Sequence, residues 1–265
     1  MRFDAQASTF EERAGVPPQV CRAVADAVLE LGPPPNQHLL ELGAGTGAIG
    51  AELLRRLPTY IGIDSSQPML EQFKRRIEPS AWPKLIQADA ALPWPVPSSS
   101  VGLLLGSRVL HFLPPAHVAA EASRVAGAQG LLLLVGRVRR DPQGARASMR
   151  RQMRVFLGEA GISPRDVMLP ELMQRLRERG GESLDERPVA SWSVTQTPRT
   201  ALASWSAHDG LAGVTLGQTE RERILEQLRR WALSTFGSLD AAVTSEEEYV
   251  LSGVRLAAAH SRTQN

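Results

Sequence analysis

The sequence predicts an α/β protein built on a mostly parallel sheet, and three observations carry that prediction. Short apolar runs alternate with amphipathic stretches from about residue 18 to residue 138, the pattern that parallel strands and their helical crossovers impose. Each run has strand length and ends in a polar or glycine-containing loop. The first run feeds directly into a glycine-rich turn that opens a helix, Leu39 to Gly50.

The elements follow in order. Val20 to Leu31 has helical spacing and is stopped by Gly32-Pro33-Pro34-Pro35, because proline lacks the N–H that would continue the helix. His38 to Leu42, Tyr60 to Asp64, Lys84 to Ala88 and Val101 to Gly106 read as strands, with Leu131 to Val138 as a fifth. Ala48 to Leu57, Pro68 to Ile77 and Ala116 to Val125 carry apolar residues at helical spacing between them, and Pro68 suits a first turn. Beyond Arg139 the alternation stops. Gly144 to Gly161 and Pro170 to Arg179 read as helices rich in Arg and Met, Glu182 to Thr195 as a strand, Thr219 to Phe236 as an amphipathic helix and Glu247 to Leu256 as a last strand.

Composition bounds the function classes. With 265 residues, 43% hydrophobic and 22% charged, the chain can bury a real core, and neither disorder nor a fibrous class applies. Thirty Lys and Arg against 28 Asp and Glu leave a formal charge of +2, too small for the field that phosphate-backbone binding requires. Nucleic acid is not expected as a partner. Cys21 is the single cysteine, which rules out an internal disulfide and fits a packing role in a reducing compartment. The first residues lack a basic segment followed by an apolar run, and the longest apolar stretch, Leu131 to Val135, is too short to span a bilayer. A soluble cytoplasmic protein without a membrane partner is expected.

The turn from Gly43 to Gly47 follows a buried strand and precedes a helix, the arrangement that lets a nucleotide cofactor touch the backbone where a Cβ would collide. Read from Gly45, the same residues satisfy Gly-x-Gly-x-x-Gly, so a nicotinamide or flavin dinucleotide fits the spacing too. Asp64 ends the second strand at the separation suited to ribose hydroxyls, although Asp64-Ser65-Ser66-Gln67-Pro68 also suits a helix N-cap. One residue separates the two cofactors. A carboxylate at Glu41, just before the glycines, is a poor neighbour for pyrophosphate and a good one for a sulfonium and an ammonium.

Glu41 to Gly47, Gly62 to Ser65, and Gln87 to Ala90 followed by Leu92-Pro93 resemble, in order and spacing, successive motifs of class I S-adenosylmethionine-dependent methyltransferases. The resemblance runs on through Ser107 to Leu113, Glu121 to Val125 and Gly130 to Leu134, and covers about residues 3 to 138. In the second half only the closing strand, Tyr249 to Leu256, is similar to small-molecule members. The resemblance implies a Rossmann-like three-layer sandwich with a seven-stranded sheet in the order 3-2-1-4-5-7-6, the last strand antiparallel, and a helical lid. It also implies site roles. Glu41, Gly43, Ala44, Gly45, Thr46 and Gly47 would hold the methionine part of S-adenosylmethionine, whose product is S-adenosylhomocysteine. Asp64 would accept the ribose hydroxyls, Ser65 and Met69 would line the adenosine pocket, Asp89 would take the adenine amino group and Ala90 an adenine nitrogen. Ser107 would offer its carbonyl to the methionine amino group. Phe3, Phe10 and Arg13 match a leading pattern in which the arginine pairs with the cofactor carboxylate.

Methyl transfer from a sulfonium chiefly needs in-line approach and desolvation, so a general base is optional. His111 lies in the loop expected to face the methyl group and is the candidate base, with pocket shaping as the other reading. Trp192, Trp205 and His208 are candidate acceptor contacts, although the tryptophans read first as core anchors and the histidine as a surface residue. Met149, Met153, Met168 and Met173 suit either a pliable cavity or helix packing. Arg146, Arg150, Arg151 and Arg154 recur along one helix and read as a solvated face before they read as a site for an acidic acceptor. No metal-ligand spacing appears. The expected organisation is one methyltransferase domain over 1–265, with a helical cap at 1–35, a cofactor core at 36–138, a lid with sheet elements at 139–236, and the last strand and tail at 237–265. The expected reaction is methylation of a small organic acceptor, at oxygen first and otherwise at nitrogen or carbon, in secondary metabolism, by a monomer or homodimer. The alternatives are a dinucleotide-dependent oxidoreductase and a catalytically silent cofactor-binding module.

Overall fold

The computed structural model describes residues 16–34, 36–162, 168–207 and 210–258, with the side chain of Pro83 left aside. Helix α1 (Pro18–Leu31) starts on proline, where a missing N–H costs nothing, and ends at Gly32 with φ +39°. Its buried stripe of Val20, Cys21, Val24 and Val28 packs on α2 (Gly50–Arg56). Strands β1 (His38–Leu42), β2 (Tyr60–Asp64), β3 (Leu85–Gln87), β4 (Val101–Ser107) and β5 (Leu131–Arg140) alternate with α2, α3 (Gln67–Lys74) and α4 (Pro115–Val125). A 3-10 turn, Pro79–Lys84, precedes β3. After β5 come α5 (Ala145–Glu159), α6 (Met168–Glu178), β6 (Glu182–Gln196), α7 (Pro198–Ser206), a hairpin of β7 (Gly210–Leu211) and β8 (Val214–Thr215), α8 (Gln218–Phe236) and β9 (Val243–Leu256).

Seven strands form one sheet in the order β3-β2-β1-β4-β5-β9-β6. With the separate hairpin left out of the count, this is the predicted 3-2-1-4-5-7-6. β1 to β5 run parallel, Leu39 opposite Tyr60 and Leu103 opposite Leu132. β9 runs against them: Gly130 lies against Leu256, Leu133 against Gly253 and Gly136 against Tyr249, so neighbours on β9 descend as β5 ascends. β4 is buried along six successive residues, as a central strand covered on both faces must be.

The chain divides into two compact units. The first comprises 1–138, 167–190 and 249–265; Leu40, Leu104, Leu133, Val118 and Leu176 belong to its core, where α6 packs on α4. The second comprises 139–166 and 191–248, a bundle of α5, α7 and α8 around Met149, Met153, Leu157, Trp205, Ile224 and Leu228. Met149 and Met153 are fully buried there, so helix packing accounts for them.

Three elements escape the apolar pattern. α7 is short and weakly amphipathic; it is set by a Thr197 capping box, Thr197 accepting from the Thr200 N–H while Thr200 accepts from the Thr197 N–H, with Pro198 in its first turn. The β7/β8 hairpin turns on Ala212 and Gly213, both at positive φ. β9 begins at Val243 rather than Glu247, because its polar first half is held by cross-strand partners: Thr244 to Thr195, Glu247 to Arg140 and Glu248 to Arg139. Among the described residues, no helix is long and apolar enough to cross a membrane.

Candidate cofactor site

The sheet order reverses between β1 and β4, and the loops leaving β1, β2, β3 and β4 therefore gather at one carboxyl edge. The β1 loop is the glycine turn. Gly43, Gly45 and Gly47 take φ of +65°, +56° and +79°, a region that a Cβ makes costly. At Gly47 a Cβ would lie 2.3 Å from the Phe73 ring, and at Gly43 2.7 Å from Val109, so the turn is clamped between α3 and the loop after β4. Gly45 differs: among the described residues its Cβ direction meets only the Gly43 carbonyl, at 3.9 Å. It is the point at which a ligand can reach the backbone. Ala44 and Thr46 are buried on either side, with the Ala44 N–H donating to the Ile63 carbonyl at 3.0 Å.

Asp64 is oriented by this turn. Its Oδ2 accepts the Gly45 N–H at 2.9 Å and its Oδ1 the Ser66 N–H at 2.8 Å, so each oxygen is fixed by backbone. Of the two sequence readings, Ser66 rather than Asp64 occupies the N-cap position of α3, and the Ser66 side chain makes no capping hydrogen bond; Asp64 ties the β1 and β2 loops together. The Asp64 carbonyl accepts the Ala88 N–H at 3.0 Å and the Ser65 carbonyl accepts from Gln87 Nε2 at 3.3 Å, which joins the β3 end to the same edge. Met69 is buried in α3. Asp89 is exposed and accepts the Ala91 N–H, while Ala90 is buried and its carbonyl accepts the Trp94 indole N–H.

Glu41 lies deeper than the sequence suggests. It is 2% exposed, and its Oε2 accepts the Tyr60 hydroxyl at 2.5 Å. Burial pushes its carboxyl up to about 8; the Tyr60 hydrogen bond opposes this and the charge of Asp64 adds to it. Burial beneath the turn thus favours the neutral form of this acid. Tyr60 itself does not stand out in the sequence, since a tyrosine opening a strand carries no signal of the acid on the neighbouring strand.

Ser107, closing β4, shares a 2.6 Å hydrogen bond with the Tyr249 hydroxyl. The next residue, Arg108, sits at φ +59° and donates its N–H to the Gly136 carbonyl at 2.8 Å, which fixes the entry to a 3-10 turn, Leu110–Phe112. Leu110 anchors that turn in the core; His111 is exposed, its ring 3.9 Å from that of the half-exposed Phe112. Glu121 and Arg124 build the floor under the loop after β3: Glu121 takes the Trp94 N–H and two Arg124 donors, and Arg124 reaches the Trp94 and Val96 carbonyls.

Trp192 and Trp205 belong to the second unit, both buried. Arg13, Phe3, Phe10 and His208 lie outside the described residues. No group of three or more His, Cys, Asp or Glu is placed to hold a metal among the described residues.

Residues 40–134 match the model of a methyltransferase domain family. Over that stretch the chain is similar to methyltransferase domains. An uncharacterized methyltransferase of Mycobacterium tuberculosis is 28% identical to this chain over 179 residues, 67% of this chain and 66% of that protein, so the match spans just under two thirds of the relative's length. Among solved structures, a Bacillus halodurans C-125 protein assigned as a methyltransferase superposes with TM-score 0.54 at 16% identity, over 87% of this chain and 97% of that one. The YcgJ protein of Bacillus subtilis gives 0.51 at 13% identity, over 90% and 98%. At these identities the structural likeness establishes the fold alone.

Proposed function

We propose that this protein transfers the methyl group of S-adenosylmethionine to a small organic acceptor, at oxygen first, with nitrogen and carbon as the other acceptor atoms and secondary metabolism as the setting. The observation that carries the cofactor choice is the sheet itself. Dinucleotide folds run 3-2-1-4-5-6 in parallel, whereas here an antiparallel strand stands between β5 and β6. The residues fit the cofactor as well: Gly45 leaves its backbone approachable, and Asp64 is aimed by two backbone donors.

Bound there, S-adenosylmethionine supplies an electrophilic methyl carbon on a sulfonium. Asp64 holds the ribose hydroxyls, Ser65 and Met69 flank the adenosine, and Asp89 with the Ala90 N–H reads the adenine edge. The turn from Gly43 to Gly47, with Glu41 below it, holds the methionine part, the Ser107 carbonyl takes its amino group, and Arg13 its carboxylate. His111, exposed at the same edge, takes the proton from an acceptor hydroxyl, and the rest of the rate comes from orientation and exclusion of water.

Calorimetric titration of the whole chain tests this reading. S-adenosylhomocysteine is expected to bind, and Asp64→Ala to weaken it at least tenfold, about 1.4 kcal/mol. Heat with NADPH and none with S-adenosylhomocysteine overturns it in favour of an oxidoreductase, and binding without methyl consumption across a panel of phenols, amines and enols reduces it to a silent binding module.

A further inference from the structure

In the second unit three arginines, Arg140, Arg146 and Arg150, lie close together. Arg140, near the end of β5, pairs with Glu247 of β9 at 3.1 Å. The chain then turns through Asp141 and Gly144 into α5, where the first turn holds no acidic residue and the N-cap supplies no side-chain hydrogen bond. Arg146 is the second residue of that helix and Arg150 lies one turn on, on the same side. The helix start is pressed on the sheet: a Cβ on Gly144 would lie 2.6 Å from the Ser245 hydroxyl, and Ser245 and Glu247 share the buried face of β9.

Arg146 is half-buried without a carboxylate partner. Its guanidinium lies 5.2 Å from the centroid of the Trp205 ring and gives one hydrogen bond, to Ser204 Oγ at 3.2 Å, and among the described residues it makes no ion pair. Burial, with Arg140 and then Arg150 close by, pushes it down to about 10, and Glu247 only partly compensates. A guanidinium over an indole presents its remaining N–H groups in a planar fork, and Arg146 lies in the first turn of its helix.

One more buried donor on this sheet face lacks an acceptor, and a second meets its carboxylate only in poor geometry. Thr195 faces Thr244 across the β6/β9 pair, which sets Trp192 level with Glu247, and both belong to the buried alternation of their strands. Trp192 is 8% exposed and its indole N–H has no hydrogen-bond partner; the Nε of Arg140, though beside Glu247, has none of good geometry either. Solvation of a charged face does not account for this, since the sequence reading of Arg146, Arg150, Arg151 and Arg154 as one solvated stripe fits the exposed Arg150 and Arg151 and not the half-buried Arg146 and Arg154. An oxyanion is a partner that buried donors without acceptors can take.

We propose that the second unit binds a small organic oxyanion, a carboxylate or phosphate attached to an apolar or aromatic body, with Arg146 as the forked donor, Arg140 and Arg150 completing the positive field, and Trp205 as the stacking surface. The proposal rests on this unit alone and does not need the methyl-transfer reading.

The test uses the full chain, titrated separately with benzoate and with inorganic phosphate at low ionic strength while heat and tryptophan fluorescence are followed. Saturable binding is expected, weakened at least fivefold by Arg146→Gln and by Arg150→Gln, partly restored by Arg146→Lys, and unchanged by Arg230→Gln on the far helix. Stronger binding of benzoate than phosphate identifies an organic acid as the ligand, and the reverse a phosphate ester. Absence of saturable binding of either probe, or equal binding by wild type and both glutamine variants, overturns the proposal; Arg150, being exposed, supplies the folded variant if Arg146→Gln does not fold. S-adenosylhomocysteine binding measured in the same samples separates this outcome from failure of the cofactor assignment.

Discussion

At the scale of single residues, the decisive feature is a carboxyl group placed where it cannot easily ionise. Glu41 is enclosed by the β-sheet, Tyr60 and the close backbone of Gly50, and its value rises from 4.5 to about 8 mainly through burial. The folded state then holds a proton that the unfolded chain releases. Its contribution to stability is complete below pH 4.5 and is lost as pH rises through 8, with a slope of about 1.4 kcal/mol per pH unit between them. Glu41→Gln, which keeps the acceptor for Tyr60 and cannot ionise, is expected to flatten that slope. Chemical denaturation of both proteins at pH 5, 6.5 and 8 measures it, and parallel pH profiles would refute the assignment. The same burial explains why the residue is easier to recognise than to interpret from sequence: its position before the glycines is legible, while its neutral state depends on Tyr60 and Asp64, which arrive from another strand.

At the scale of elements, the site rests on a loop floor rather than on the sheet alone. The segment Trp94 to Val96 has no regular structure to satisfy its backbone, and α4 supplies the partners: Glu121 for the Trp94 N–H, Arg124 for two carbonyls. Glu121 is 8% exposed and held below its usual range, first by the Arg124 hydrogen bonds, against an opposing burial effect. Removing its charge leaves Arg124 and the Trp94 N–H short of an acceptor, so Glu121→Gln is expected to cost about 2–3 kcal/mol at pH 7. Because the folded value is depressed, the wild-type advantage is present above pH 4.5 and fades as pH falls through that folded value; the difference in melting temperature between the pair should narrow as pH is lowered from 7. Periodicity located β1 and β2 to the residue, since both are short apolar runs between breakers. It missed α7 and the start of β9 because caps and cross-strand pairs, not apolar spacing, define them. The glycine turn, Asp64 and Ser107 were readable as local motifs; Tyr60, Val109, Phe73 and Tyr249, which fix them in place, are distant in sequence and leave no local trace.

At the scale of the whole molecule, the two units each own a core, and that separation has an energetic consequence. Leu228 is fully buried among Met149, Met153, Trp205 and Ile224, all of the second unit, while the cofactor loops draw on Leu40, Leu42, Ile63 and Leu104 of the first. Truncating Leu228 to alanine removes buried methyl groups and leaves a cavity, a loss of about 2–5 kcal/mol. If each core closes as its own cooperative unit, the loss is local. Leu228→Ala is then expected to raise amide exchange across 145–159 and 218–236 by at least tenfold, while exchange in β1, β2 and β4 and the affinity for S-adenosylhomocysteine stay within twofold of wild type. Hydrogen exchange read by mass spectrometry, with calorimetry on the same samples, decides it. A uniform rise over the entire sheet, with cofactor-product binding lost in step, would mean that both cores melt together and that the division of the chain is geometric without being thermodynamic.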